Sequence, residues 1–191
     1  MRTYLSTLAA IAAFAATVPA FANEFEEPLR ALAEDVILAK LADPAIADAI
    51  KTQNAANAAL TQADIDALDQ QWRGEVGAGS APTIDPVLSS AVLDILRSIR
   101  DESEGMFTEI FLMDDKGLNV AASDVTSDYW QGDEAKWQQT YGAGATAMHI
   151  SDVEFDESTQ TYQAQVSVSI SDPETAAPIG AATFGVNIDA L

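Results

Sequence analysis

FLMDDKGLNVAASDVTSDYWQGDEAKWQQTY, residues 111 to 141, decides how this chain is read. Its opening apolar run breaks at Asp114, Asp115, Lys116 and Gly117, where glycine can supply positive φ, and a second short apolar run follows. That order predicts a hairpin, with one strand over 109–114 and its partner over 118–123. A polar loop containing Ser127, Asp128 and Tyr129 then leads to Trp130, Trp137 and Tyr141, spaced seven and four residues apart. If 130–141 is largely helical, the three rings share one face. Gly132, Asp133 and Glu134 suit the first turn of such a helix, because carboxylates there complement its dipole.

Downstream, three further strands are predicted over 147–155, 161–170 and 179–188. The middle one alternates, with Tyr162, Ala164, Val166, Val168 and Ile170 on one face and Gln163, Gln165, Ser167 and Ser169 on the other. Alternation of this kind implies a sheet with one face against a core. The connections 156–160 and 171–178 are short and polar, which favours antiparallel neighbours. Upstream, helical periodicity runs from Glu24 to Leu41 through Phe25, Leu29, Leu32, Val36 and Leu41. Asp43 and Pro44 form an N-cap and N1 pair for a second, alanine-rich helix, whose apolar face Gln53 and Asn57 interrupt. Thr61, with Asp64 three residues on, resembles a capping box before Ile65, Leu68 and Trp72. A glycine- and proline-rich loop over 74–86 precedes a fourth helix over 87–100. The fold class is therefore α+β, with N-terminal helices, a five-stranded antiparallel sheet, and a loop-helix excursion after the second strand.

The first 22 residues carry one arginine, an alanine-rich apolar run and Ala20, Phe21, Ala22, the pattern of a secretory signal peptide cleaved after Ala22. The alternative, a retained N-terminal anchor, has to contend with a run short for a membrane span and broken by Pro19. No later segment has the length and apolarity to span a bilayer, so the chain is expected to be periplasmic, with no direct membrane span after cleavage. Without the leader it has eight basic and thirty acidic side chains, a net charge of −22. Such a surface repels phosphate backbones and anionic lipid, so nucleic acid is not expected as a partner. The absence of cysteine excludes thiol catalysis, thiolate metal sites and disulfides.

Chemistry is sparse in the remaining residues. His149, the only histidine, cannot build a multi-histidine zinc site, and no G-x-S-x-G signature accompanies it. The acidic groups at 114–115 and 152–157 lack the EF-hand spacing and read as solvated turns. No metal, cofactor or catalytic residue is expected, and the chain reads as non-enzymatic. The excursion is different: an aromatic wall bearing Lys136, next to Ser127, Asp128 and Tyr129, has the make-up of a small-ligand pocket. Lys136 could hold a carboxylate, or Asp128 and Asp133 an amine. The competing reading packs Trp137 and Tyr141 against the sheet and leaves Lys136 in water.

Three motifs, FLMDDKGLNVAAS, SDYWQGDEAKW and the terminal IGAATFGVNIDAL, make residues 106–191 resemble the Cache (PDC) extracellular sensor domains, PAS-like modules of bacterial chemoreceptors and histidine kinases. The resemblance implies a PAS-like sheet with long helices on one side and a pocket under the excursion. It implies a ligand-binding set of Tyr129, Trp130, Lys136, Trp137, His149 and Asp172. It does not extend to the arginine that amino-acid-binding members use, since no arginine lies beyond Arg100. On this reading residues 1–22 are the signal peptide, 23–105 a helical N-terminal region and 106–191 the sensor domain. Such modules usually lie between two membrane spans, and this chain ends at Leu191 with the last strand. A free-standing module is therefore expected, which binds a small polar organic molecule and signals through a membrane-bound receptor or kinase partner. The alternative is a periplasmic structural or assembly accessory that keeps the fold without the ligand.

Overall fold

Local capping starts two of the helices where the sequence places them. Asp43 accepts the Ala45 N–H at 2.9 Å ahead of α3 (Pro44–Asn57), and Thr61 and Asp64 form a reciprocal capping box ahead of α4 (Gln62–Glu75). The computed structural model describes residues 24–157 and 160–191, so the predicted leader lies outside the described residues. The first helical stretch comprises α1 (Glu26–Leu32), a π-helical turn (Ala33–Ile37) and α2 (Leu38–Lys40). The predicted 87–100 helix is interrupted. It becomes α5 (Ile84–Val87) and α6 (Leu93–Glu102), separated where the Ser89 hydroxyl donates to the Asp85 carbonyl and a turn follows.

The sheet is antiparallel throughout and contains β1 (Phe107–Met113), β2 (Asn119–Ala122), β3 (Met148–Ile150), β4 (Glu154–Asp156), β5 (Thr161–Ser171) and β6 (Pro178–Asn187). Its order is β2-β1-β6-β5-β3, with β4 also paired to β5. The expected third strand over 147–155 is thus two short ones. Ile150 pairs with Val166 and Glu154 with Gln163, so residues 151–153 face only two residues of β5. The extra residue is a bulge, and the Ser151 hydroxyl accepts the Gln165 N–H within it at 2.8 Å.

Alternation along β5 and β6 divides the packing between two faces. Ala164, Val166, Val168 and Ile170, with Ala182, Phe184 and Val186, meet Leu29, Ile37, Ile46, Ile50, Leu96 and Ile99 in the main core. Tyr162, predicted on that face, lies beyond the helices, is 56% exposed and packs edge-on against Phe155. The opposite face has its own cluster, in which Trp72 of α4 and Ile84 and Val87 of α5 cover Phe111, Met113 and Ala181. Helices therefore lie on both faces, where the resemblance implied one.

The hairpin turn is the main departure from the expected solvated acid. Asp114 is fully buried. Its carboxylate accepts the Lys116 and Leu118 N–H groups at 2.9 Å each and the side-chain amides of Gln53 at 3.1 Å and Asn57 at 2.8 Å. A buried carboxylate needs such donors, and α3 supplies two of them from its polar side.

Candidate ligand cleft

The segment after β2 is fastened before it reaches the cleft. Asn119 donates to the Thr126 hydroxyl at 2.8 Å and to the Asp128 carbonyl at 3.0 Å, and its own N–H donates to the Tyr129 carbonyl at 3.0 Å. From the other side, Asp69 of α4 accepts the N–H groups of Tyr129 and Trp130 at 2.9 and 3.1 Å, and the Trp72 indole donates to the Thr126 carbonyl at 2.9 Å. A loop with this many backbone attachments is a fixed wall.

Beyond it the predicted single helix is absent. Trp130 forms a β-bridge with Leu118, Gly132 lies against the Trp130 ring and the Lys116 carbonyl, and regular helix is confined to α7 (Ala135–Gln138) and a 3₁₀ turn (Tyr141–Ala143). Gly132 and Asp133 consequently precede the helix, and Glu134 is its N-cap without a side-chain cap bond. Trp137 and Tyr141 still pack together, with ring centres 5.2 Å apart, but Trp130 is separate from them and donates its indole N–H to the Lys116 carbonyl at 2.8 Å.

Lys136 projects from α7 over the sheet. Its Nζ lies 2.9 Å from Glu134 Oε2 and 3.1 Å from Gln131 Oε1, and 5.5 Å above the Phe111 ring. Two hollows, of about 320 and 400 Å³, flank it and share Lys136, Asp156 and Gln165 as lining. Together they form a cleft between the excursion and the polar face of the sheet. In its floor Gln165 donates to Glu109 Oε1 at 3.2 Å. Burial raises the Glu109 pKa, and the nearby Asp156 and Asp124 charges add to the effect, against the opposing influence of Gln165 and Lys136.

Of the six residues singled out in the sequence, Lys136 lines this cleft. His149 faces Ser167 in the β3–β5 register. Its pKa is lowered by burial and by Lys136, with Asp152 acting the other way. Tyr129 stacks on Trp72 at 5.2 Å and borders a different, open groove of about 630 Å³ between α3 and the 86–92 segment. Burial, with the Asp114 charge, pushes its phenol up to about 12. Trp137 packs in the second cluster and donates its indole N–H to the Asp114 carbonyl at 3.0 Å. Asp172 holds its own turn by accepting the Glu174 N–H at 2.8 Å, and it stands 4.0 Å from Lys51. Sequence reasoning missed Glu109, Asp156 and Gln165. The available signal was the polar row Gln163, Gln165, Ser167 and Ser169: a polar sheet face in a chain with a bulky excursion implies a wet space beneath it.

No protein-family profile matches the sequence, and no curated protein matches it. Solved structures similar to it include the sensory domain of the Campylobacter jejuni chemoreceptor Tlp3 with isoleucine bound, at 10% identity and TM-score 0.38, covering 85% of this chain and 60% of that one. The V. cholerae histidine kinase DctB sensor domain is similar at 14% identity and TM-score 0.37, over 85% of this chain and 58% of that one. The E. coli DcuS sensor domain is similar at 15% identity and TM-score 0.37, over 65% of this chain and 91% of that one. This chain therefore spans less than two thirds of the Tlp3 and DctB domains it matches.

Proposed function

We propose that this chain is a sensor module that acts outside the cytoplasm, binds a small polar organic molecule in the cleft beside Lys136, and passes the bound state to a membrane-bound receptor or kinase partner. One observation supports this above the others: a polar cleft with three side-chain amides and several carboxylates converging on it, beside Lys136, lies between the sheet and a loop held from two sides. Concave sites with a few convergent polar groups on a fixed frame are the usual form of small-molecule sites. The reading is one of binding rather than catalysis. Export rests on the leader-like residues 1–22, and no helix among the described residues is long and apolar enough to cross a membrane.

A second reading, an accessory that keeps the fold without a ligand, is favoured by the two indoles, since Trp130 and Trp137 occupy themselves with hairpin carbonyls. Thermal-shift screening against organic acids, amines and amino acids separates the two. A ligand at a hundredfold excess over its Kd stabilises by about 2.7 kcal/mol, and Asp156→Ala or Gln165→Ala, at residues that line both hollows, should diminish that shift. If no compound shifts the wild type, or both variants keep the full shift, the accessory reading stands. Capture of a membrane protein by the wild type tests the partner, and recovery of the chain alone counts against it.

A further inference from the structure

The sequence left open whether the cleft takes an anion through Lys136 or a cation through its carboxylates. Resting on the reading of the cleft as a ligand site, we infer that it is selective for organic cations, small linear amines and diamines, and rejects carboxylates.

Lys136 is the reason an anion is disfavoured. An ammonium has three donors. Here Glu134 and Gln131 take two of them, Glu134 neutralises the charge, and the Nζ also lies 5.5 Å over the Phe111 ring. An incoming carboxylate would have to displace Glu134 and enter a space already rich in negative charge. The larger hollow is lined by five carboxylates and the smaller by three, Asp156 being common to both, against Lys136 alone. Arg73 stands outside the lining and pairs with Asp128 at 3.1 Å, and Glu134 pairs with Lys136. The remaining lining stays negative after both pairs are removed. Burial, with the Lys136 charge, lowers the His149 pKa against the opposing Asp152, which favours its neutral form.

The floor indicates where a cation would sit. Glu109 and Asp156 line the same hollow and repel one another, and Gln165, which also borders it, already donates to Glu109. An ammonium between the two carboxylates would relieve that repulsion and donate a charge-assisted bond to each, while the glutamine carbonyl remains available to a third N–H. A second ammonium at the far end of a short chain would reach the other hollow, where Asp152 and Glu154 stand. Linear diamines match a cleft with acids at both ends.

Isothermal titration calorimetry of the protein with 1,4-diaminobutane and with butane-1,4-dioate tests this, alongside Glu109→Gln, Asp156→Asn, Lys136→Met and, as a distant control, the exposed Asp66→Asn. The expected result is diamine binding without dioate binding. Glu109→Gln and Asp156→Asn should each weaken it about tenfold or more, the scale of one charge-assisted bond, with Lys136→Met and Asp66→Asn leaving it intact or tighter. Urea unfolding of each variant confirms that it is folded. Binding of the dioate lost in Lys136→Met would overturn the charge assignment and leave the cleft as a site. Diamine affinity unchanged in both Glu109→Gln and Asp156→Asn would reduce the effect to general attraction by an acidic chain and overturn the inference. If neither compound nor any monoamine binds, the inference fails, and the ligand-site reading fails with it only if the wider thermal-shift screen also gives no shift.

Discussion

Asn57 Nδ2 lies 2.8 Å from Asp114 Oδ2, joining the end of α3 to the first hairpin across 57 residues of sequence. With Gln53 on the same oxygen, this contact makes the turn a buried junction. Removing the acceptor strands the Lys116 and Leu118 N–H groups and the Asn57 amide, while Gln53 keeps the Asn119 carbonyl at 3.1 Å, and an unsatisfied buried group costs about 1–3 kcal/mol. Asp114→Ala is therefore expected to lose about 3 kcal/mol or more in urea unfolding, and Asn57→Ala about 1 kcal/mol. Equal small losses from both would mean that water serves the carboxylate as well as α3 does.

That junction also shows what the sequence could and could not reveal. Asp43 with Pro44, Thr61 with Asp64, and the alternation of β5 were legible because their causes lie within a few residues. Gln53 and Asn57 looked like flaws in an apolar face because their partner is far away in sequence. The excursion misled for the same reason: the seven-and-four aromatic spacing is helical, but Gly132 is pressed against the Trp130 ring and Trp130 bridges to Leu118, contacts that only the folded hairpin provides. Lys136 could be found in the sequence by its isolation among acids and aromatics. Glu109 and Gln165 could not be assigned to it, since strand register brings them together.

Backbone contacts at Gly180 make a second expectation. A Cβ there would meet the Met113 carbonyl oxygen and stand 3.0 Å from Ile50 Cγ2, so β1 and β6 would have to separate. Gly180→Ala should cost about 3 kcal/mol, the upper range for overpacking. At Gly74, near the end of α4, a Cβ would meet no atom within 4 Å, so Gly74→Ala should stabilise by about 0.5 kcal/mol through reduced backbone entropy of the unfolded chain. Thermal melts of the two variants should move in opposite directions.

Glu109 gives a pH dependence with a definite sign. Its folded pKa is raised, chiefly by burial, so between the unfolded and folded values the folded state holds more protons than the unfolded state. Stability contributed by this group therefore falls as pH rises through that window, and the full penalty remains above it. Glu109→Gln should remove this slope and be more stable than wild type at neutral pH. Diamine affinity should do the opposite in the wild type, rising with pH as the carboxyl ionises. A stability profile identical in wild type and Glu109→Gln would show that the carboxyl is solvated in both states.

Trp130 and Trp137 distinguish a frame from a contact surface. Each indole N–H ends on a carbonyl of the hairpin turn, Lys116 at 2.8 Å and Asp114 at 3.0 Å, while Lys136, between them in sequence, faces the cleft. Phenylalanine preserves much of the ring and removes the donor, so Trp130→Phe and Trp137→Phe should each lose about 1 kcal/mol of stability, the net value of one hydrogen bond. If the indoles act only by fixing the excursion, 1,4-diaminobutane should bind both folded variants within about twofold of wild type, a difference of less than about 0.5 kcal/mol. A large affinity loss at unchanged stability would instead place an indole against the ligand. Lys136 would then be one part of a wider aromatic site, as the spacing of the three rings first suggested.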